Sequence, residues 1–107
     1  MITMENRSMD NAQFSTATYD AFRRTSLQAG ADEVMERHWE PNQVIETHAH
    51  TFDADALITA GEMWLTRPEG TQHLRVGDTF QLASGTPHSE RYGPEGATYW
   101  VARRNAR

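Results

Sequence analysis

The chain contains no cysteine, which removes thiolate nucleophiles, disulfides and sulfur-ligated zinc together. What remains for chemistry is five histidines, the acids, a few tyrosines and the hydroxyls. His48 and His50 stand two apart in Val44-Ile45-Glu46-Thr47-His48-Ala49-His50, a segment rich in β-branched residues. In a strand, alternate residues share a face, so both rings are expected on one side, together with Val44 and Glu46. Two neutral imidazoles held side by side on a rigid strand are the start of a site for a divalent transition metal, whether Fe, Mn, Ni, Zn or Cu. Alone, such a pair is weak evidence, because chance produces it often.

The pair belongs to a longer pattern. Asn42-x5-His48-Ala49-His50-x3-Ala54-x6-Gly61 is followed, after fifteen intervening residues, by Gly77-Asp78-x4-Ala83-x-Gly85-x2-His88-x3-Tyr92. This resembles the two motifs of the cupin superfamily, G-x5-H-x-H-x3,4-E-x6-G and G-x5-P-x-G-x2-H-x3-N, and every spacing fits. The resemblance covers residues 42–92 closely. It implies an all-β double-stranded β-helix, a small jelly-roll barrel, with a divalent transition metal deep in its mouth. The ligands carry over to His48, His50 and His88. Hairpin turns are implied at Gly61 and Gly77, with Gly85 ahead of the His88 strand, since such turns often need the positive φ that glycine adopts freely.

The departures from the pattern carry information too. Asn42 replaces a glycine, a mild change because Asn tolerates the left-handed region. Ala83 replaces a proline and Tyr92 an asparagine. The motif's glutamate ligand falls on Ala54, which has no donor atom. Asp53 is the favoured substitute, because the loop before the strand is freer to turn its side chain inward. Asp55 fits the longer variant of the motif. A site of three histidines without a carboxylate, as in some cupins resembling cysteine dioxygenase, is the third arrangement. Glu90 lies two residues beyond His88 on the same strand face and should point into the barrel near the metal. It is the candidate catalytic general base, or a partner that orients a ligand. The plainer alternative pairs it with an arginine.

These side chains need a scaffold, and the remaining sequence carries the signals of one. Beyond Gly30, short runs rich in β-branched and aromatic residues alternate with Pro41-Asn42, Gly61-Glu62, Pro68-Glu69-Gly70, Gly77-Asp78, Ala83-Ser84-Gly85 and Gly93-Pro94-Glu95-Gly96. Short strands with regularly spaced turn signals indicate an antiparallel sandwich or small barrel. Ahead of them, residues 19–29 read as a short helix with Asp20 near its start, Phe22 and Leu27 on its buried side and Gly30 as its stop. Residues 1–13 are polar and aperiodic, a lead or edge segment before a single barrel domain over 14–107.

With 107 residues and 12.2 kDa the chain has room for one domain and one core. No apolar run is long enough to span a bilayer and no signal-peptide pattern opens the chain, so neither a membrane nor a secreted-precursor reading is expected. Net charge is −5, from fifteen acids against ten basic residues that are all arginine. That lacks the clustered positive charge that phosphate neutralisation needs, so no nucleic-acid partner is expected. The absence of cysteine fits a reducing, cytoplasmic location.

The function expected from these residues is that of a small metal-dependent cupin acting on a small organic molecule, with the reaction open because this fold hosts many chemistries. The rival is a non-catalytic binding or sensor barrel in which the histidines are hydrogen-bonded core residues. A small barrel has strand edges to cover, which leads to the expectation of a C2 homodimer. His38 and His73 match no motif and are expected to be ordinary surface residues. Trp64, Phe80, Tyr99 and Trp100 are expected in the core or an interface, with one or two lining the pocket.

Overall fold

A computed structural model describes residues 18–105, so the expected lead over residues 1–13 lies outside the described residues. The elements are α1 (Tyr19–Gln28), β1 (Glu33–Trp39), β2 (Val44–His48), β3 (Phe52–Arg67), β4 (Gly70–Arg75), β5 (Thr79–Leu82) and β6 (His88–Asn105). β3 and β6 carry the architecture, running antiparallel from Phe52↔Asn105 to Thr66↔Ser89. Each is long enough to serve two layers. In the first layer, β1 flanks the second half of β6 and β5 flanks the first half of β3. In the second layer, β2 flanks the first half of β6 and β4 the second half of β3. The two layers close on each other as a double-stranded β-helix.

Burial follows the pleat. Ala54, Ala56 and Ile58 point inward along β3, then Met63 and Leu65, and along β6 the inward sets are His88, Glu90, Tyr92 and then Ala97, Tyr99, Val101. Both sequences slip phase at the same level, where the β3–β6 register shifts between Ile58 and Ala60 and again between Gly61 and Met63. That slip lets one continuous strand bend from the first layer into the second while keeping its apolar residues inside. The hairpin turn expected at Gly61, and the break expected at Gly93–Gly96, are instead bends within single strands. Gly61 has φ +71°, and a Cβ there would collide with the Gly96 carbonyl oxygen, so the two backbones meet where only glycine fits. The Gly77 turn is a true connection, closed by the Asp78 N–H donating to Arg75 O at 2.9 Å.

α1 lies outside the barrel on the first layer. Thr18 caps its start by accepting the Ala21 N–H at 3.1 Å. Its end is a Schellman motif: Gly30, at φ +106°, donates to Leu27 O, and Ala31 donates to Ser26 O. Tyr19 and Phe22 each pack on Trp100 with ring centres 5.8 Å apart. Trp100 is therefore the platform that docks the helix. Inside, Ile58, Met63, Leu65 and Tyr92 are fully buried, each aliphatic side chain contributing about 1.5–3 kcal/mol of transfer free energy. Among the described residues no helix is long and apolar enough to cross a membrane.

Candidate metal centre

β2 ends in a bulge, and the bulge aims its histidine. The β2–β6 pairing shifts between Ile45 and His48, so His48 comes to lie on the side of Ile45 rather than of Val44 and Glu46, which are exposed. The expectation that Val44 and Glu46 share the face of the histidines is thereby corrected. His48 stands directly opposite His88 across the ladder, with ring centres 4.4 Å apart. His50 lies in the loop after the strand. There its ring stacks on Phe52, with centres 4.5 Å apart and planes 8° from parallel, and its backbone oxygen accepts the Gly85 N–H at 2.8 Å. That bond ties the loop of His50 to the loop that leads into His88.

One ring nitrogen from each of His48, His50 and His88 lies within 4.8 Å of the others. The tautomers of two of them are set from behind, because His48 Nδ1 donates to Glu46 O at 2.8 Å and His88 Nδ1 donates to Thr86 O at 2.9 Å. A neutral ring that donates through Nδ1 keeps a lone pair on Nε2. His48 Nε2 is 3.2 Å from His50 Nε2, close to the roughly 3.0–3.4 Å separating two nitrogens that sit about 2.1 Å from a shared ion. His88, 1% exposed, buries its Nε2 without a hydrogen-bond partner, which is costly unless a cation or proton meets it. Burial first, then the charges of His88, His48, Arg103 and Arg37, lowers the pKa of His50 to about 4, so it stays neutral over the range in which a ligand must be unprotonated. This donor set fits a divalent transition metal.

Glu90 extends into the same space. It is buried, and its Oε2 lies 3.4 Å from His88 Nε2 and 3.8 Å from His48 Nε2. Its Oε1 accepts the hydroxyl of Tyr92, the next inward residue on β6. Burial, reinforced by the neighbouring Tyr99 and Glu90, pushes the Tyr92 hydroxyl far above the usual range, so it keeps the proton that it shares with Glu90 in the hydrogen bond.

Asp53 is not brought to the cluster. Because Ala54 faces the barrel, its neighbours Asp53 and Asp55 face out. Asp53 Oδ1 accepts the Ser84 N–H at 2.8 Å, and Asp55 Oδ1 accepts from Gln81 Nε2 at 3.1 Å. Strand alternation overrides the freedom expected of the preceding loop, and Asp53 pins the β5–β6 loop instead of offering a ligand. His38 bonds to Thr98 and Glu36 on the surface. His73 stacks on Trp64 at 4.4 Å and meets Glu62 at 2.7 Å on the outer face.

His48 and His50 open onto a cavity of about 140 Å³ walled on the first layer by Phe80, Leu82, Tyr99 and Val101. Two further wall residues, Arg37 and Arg103, escape a search for motif residues. The signal for Arg37 is its place between Met35 and Trp39 in an alternating strand, which predicts an inward guanidinium.

No protein-family model and no curated protein sequence matches the chain. Solved structures do. The chain is similar to an RmlC-like cupin from Shewanella frigidimarina, at 21% identity and TM-score 0.60 over 70% of this chain and 68% of that one. It is also similar to a conserved protein with a double-stranded β-helix domain from Klebsiella pneumoniae, at 25% identity and TM-score 0.57 over 67% of this chain and 65% of that one. The chain is a cupin by fold. A DMSP lyase from Ruegeria pomeroyi shares that fold at 22% identity and TM-score 0.62, matching 67% of this chain but 37% of its own length. In this chain the motif positions His48, His50 and His88 converge, while the motif's glutamate position, Ala54, lines the adjoining cavity with a methyl group.

Proposed function

We propose that the barrel is a metal-dependent catalytic site for a small organic molecule, with His48, His50 and His88 holding a divalent transition metal and Glu90 acting as general base. The supporting observation is the convergence of three imidazole nitrogens, two rings of which keep their proton on Nδ1 by donating it to a backbone carbonyl and so turn Nε2 to the cluster as an acceptor. When bound, the metal would supply a Lewis acid that polarises a carbonyl or hydroxyl of the substrate.

The chain's own residues supply the rest. Tyr92 holds one oxygen of Glu90, which leaves Oε2 as the atom free to accept a substrate proton beside the histidines. Phe80, Leu82 and Val101 give the cavity an apolar wall, and a lowered local dielectric strengthens the interaction of that oxygen with any proton or cation that enters. A DMSP lyase is among the solved structures that share the fold, so a lyase reaction is one reaction class for such a site.

Metal content by plasma mass spectrometry on the untagged protein, His48→Ala, His88→Ala and Glu90→Gln tests the assignment, with circular dichroism as the check on folding. Near-stoichiometric metal in the wild type and in Glu90→Gln, lost in either folded histidine variant, is the expected result. No uptake by the wild type after incubation with Fe, Mn, Ni, Zn and Cu would overturn it and leave a metal-free binding barrel.

A further inference from the structure

Across the cavity from the histidines, the first layer turns two arginines inward. The Arg37 guanidinium sits 4.6 Å from the centre of the Trp39 ring, and that of Arg103 sits 4.4 Å over Phe52, the same ring that stacks on His50. Aromatic faces on which a guanidinium rests hold its donor fork in place without occupying its N–H groups. Both arginines line the cavity with His48, His50 and Glu90.

The charges in this wall do not balance. Among the described residues Glu90 is the one carboxylate lining the cavity, and it faces His88 and His48 while Tyr92 holds its other oxygen. Arg103 reaches Glu33 at 3.9 Å, a half-exposed residue outside the cavity, and its Nε is buried without a hydrogen-bond partner. Arg37 makes no ion pair with a described carboxylate at this distance. Directly across the β3–β6 ladder from Arg103 stands Ala54, which offers nothing to pair with. Buried guanidinium donors favour an acceptor with two oxygens in a plane, and no side chain here provides one.

Resting on the catalytic reading above, we infer that the substrate is a small organic monocarboxylate. Its carboxylate pairs with Arg103 and Arg37, and its carbon chain lies on Phe80, Leu82 and Val101. Its far end then faces the three histidines and Glu90. The cavity, at about 140 Å³, is well below the roughly 300–1,000 Å³ of sites for drug-sized ligands, which limits the acid to a short chain. The apolar wall beside the arginines favours carbon next to the charge over a free inorganic anion.

The test is titration calorimetry on the full chain, metal-loaded and chelator-stripped, with acetate, propionate and butyrate, each against its neutral amide, and with inorganic phosphate. At least one acid is expected to bind at least about tenfold more tightly than its amide, and Arg103→Gln and Arg37→Gln are each expected to lose about tenfold or more. Arg103→Lys, which keeps the charge but not the planar fork, should recover part of the loss. Circular dichroism and metal content of the variants should match the wild type. Acids and amides binding alike, no acid binding, tighter binding of phosphate, or folded arginine variants binding as wild type would each overturn the assignment. Arginine-dependent acid binding by a chain that takes up no metal would uphold the carboxylate assignment and sink the metal reading, so the two failures are separable.

Discussion

Ala54 and Arg103 stand directly opposite each other on β3 and β6, and both line the cavity into which His48 and His50 open. The position at which the cupin motif carries a glutamate is therefore a methyl group set against a guanidinium. Ala54→Glu would return a carboxylate to that position, within reach of Arg103 and on the side of His48 and His50. Metal affinity, measured by competition with a chromophoric chelator, is expected to rise about tenfold or more, which corresponds to about 1.4 kcal/mol. Binding of small carboxylates should fall in the same variant, because the new side chain takes their partner. Unchanged values for both would show that a side chain at 54 does not reach the centre.

Much of this site is legible in the sequence because its spacing is rigid. His48, His50 and His88 fall at motif positions, and the pleat then forces Glu90 and Tyr92 onto the face of His88. The β-bulge is less legible. A bulge adds one residue to one strand and reverses the faces beyond it, so Val44 and Glu46 read as companions of His48 and are exposed instead. Gly61 reads as a hairpin because positive φ marks a turn and a bend equally, and only its partner Gly96, far along the chain, separates the two. Asp53 reads as a ligand because a carboxylate beside the expected position is chemically apt, whereas alternation at Ala54 sends it outward. The arginines are missed because residue type alone assigns them to the surface.

Tyr92 is fully buried and its hydroxyl donates a hydrogen bond to Glu90. Tyr92→Phe keeps the ring, which stacks on Trp39 at 5.2 Å, and removes that bond together with the hydroxyl's contact with Tyr99. A buried hydrogen bond to a charged group contributes about 1.5–3 kcal/mol, so urea denaturation should show a loss of that size with an unchanged m-value. A stability within about 0.5 kcal/mol of the wild type, the usual range for neutral surface substitutions, would mean that Glu90 does not need this donor.

Two glycines with similar backbone angles should respond unequally to a methyl group. Gly61 has φ +71° and Gly85 has φ +84°. A Cβ at 61 runs into the Gly96 backbone, whereas one at 85 meets nothing within 4 Å. Gly85→Ala is expected to cost about 1–2 kcal/mol, the conformational penalty alone. Gly61→Ala adds a backbone displacement between the two long strands, and is expected to cost at least about 3 kcal/mol or to abolish folding. Equal thermal shifts in the two variants would contradict the close approach of β3 and β6 at the bend.

The outward placement of Asp53 is tested by removing its carboxylate. If Asp53 pins the β5–β6 loop through Ser84, as its 2.8 Å bond indicates, Asp53→Ala should bind metal at the wild-type stoichiometry. Stability should fall by about 1 kcal/mol for the lost bond, and hydrogen exchange at the Ser84 amide should quicken. The loop also reaches His50 through Gly85 and ends at His88, so metal should dissociate faster from the variant even though every nitrogen donor is still present. A folded Asp53→Ala chain that takes up no metal would instead make Asp53 a ligand, which requires the start of β3 to turn over and expose Ala54. The two outcomes differ in stoichiometry against off-rate, and one chelator-chase experiment reads both.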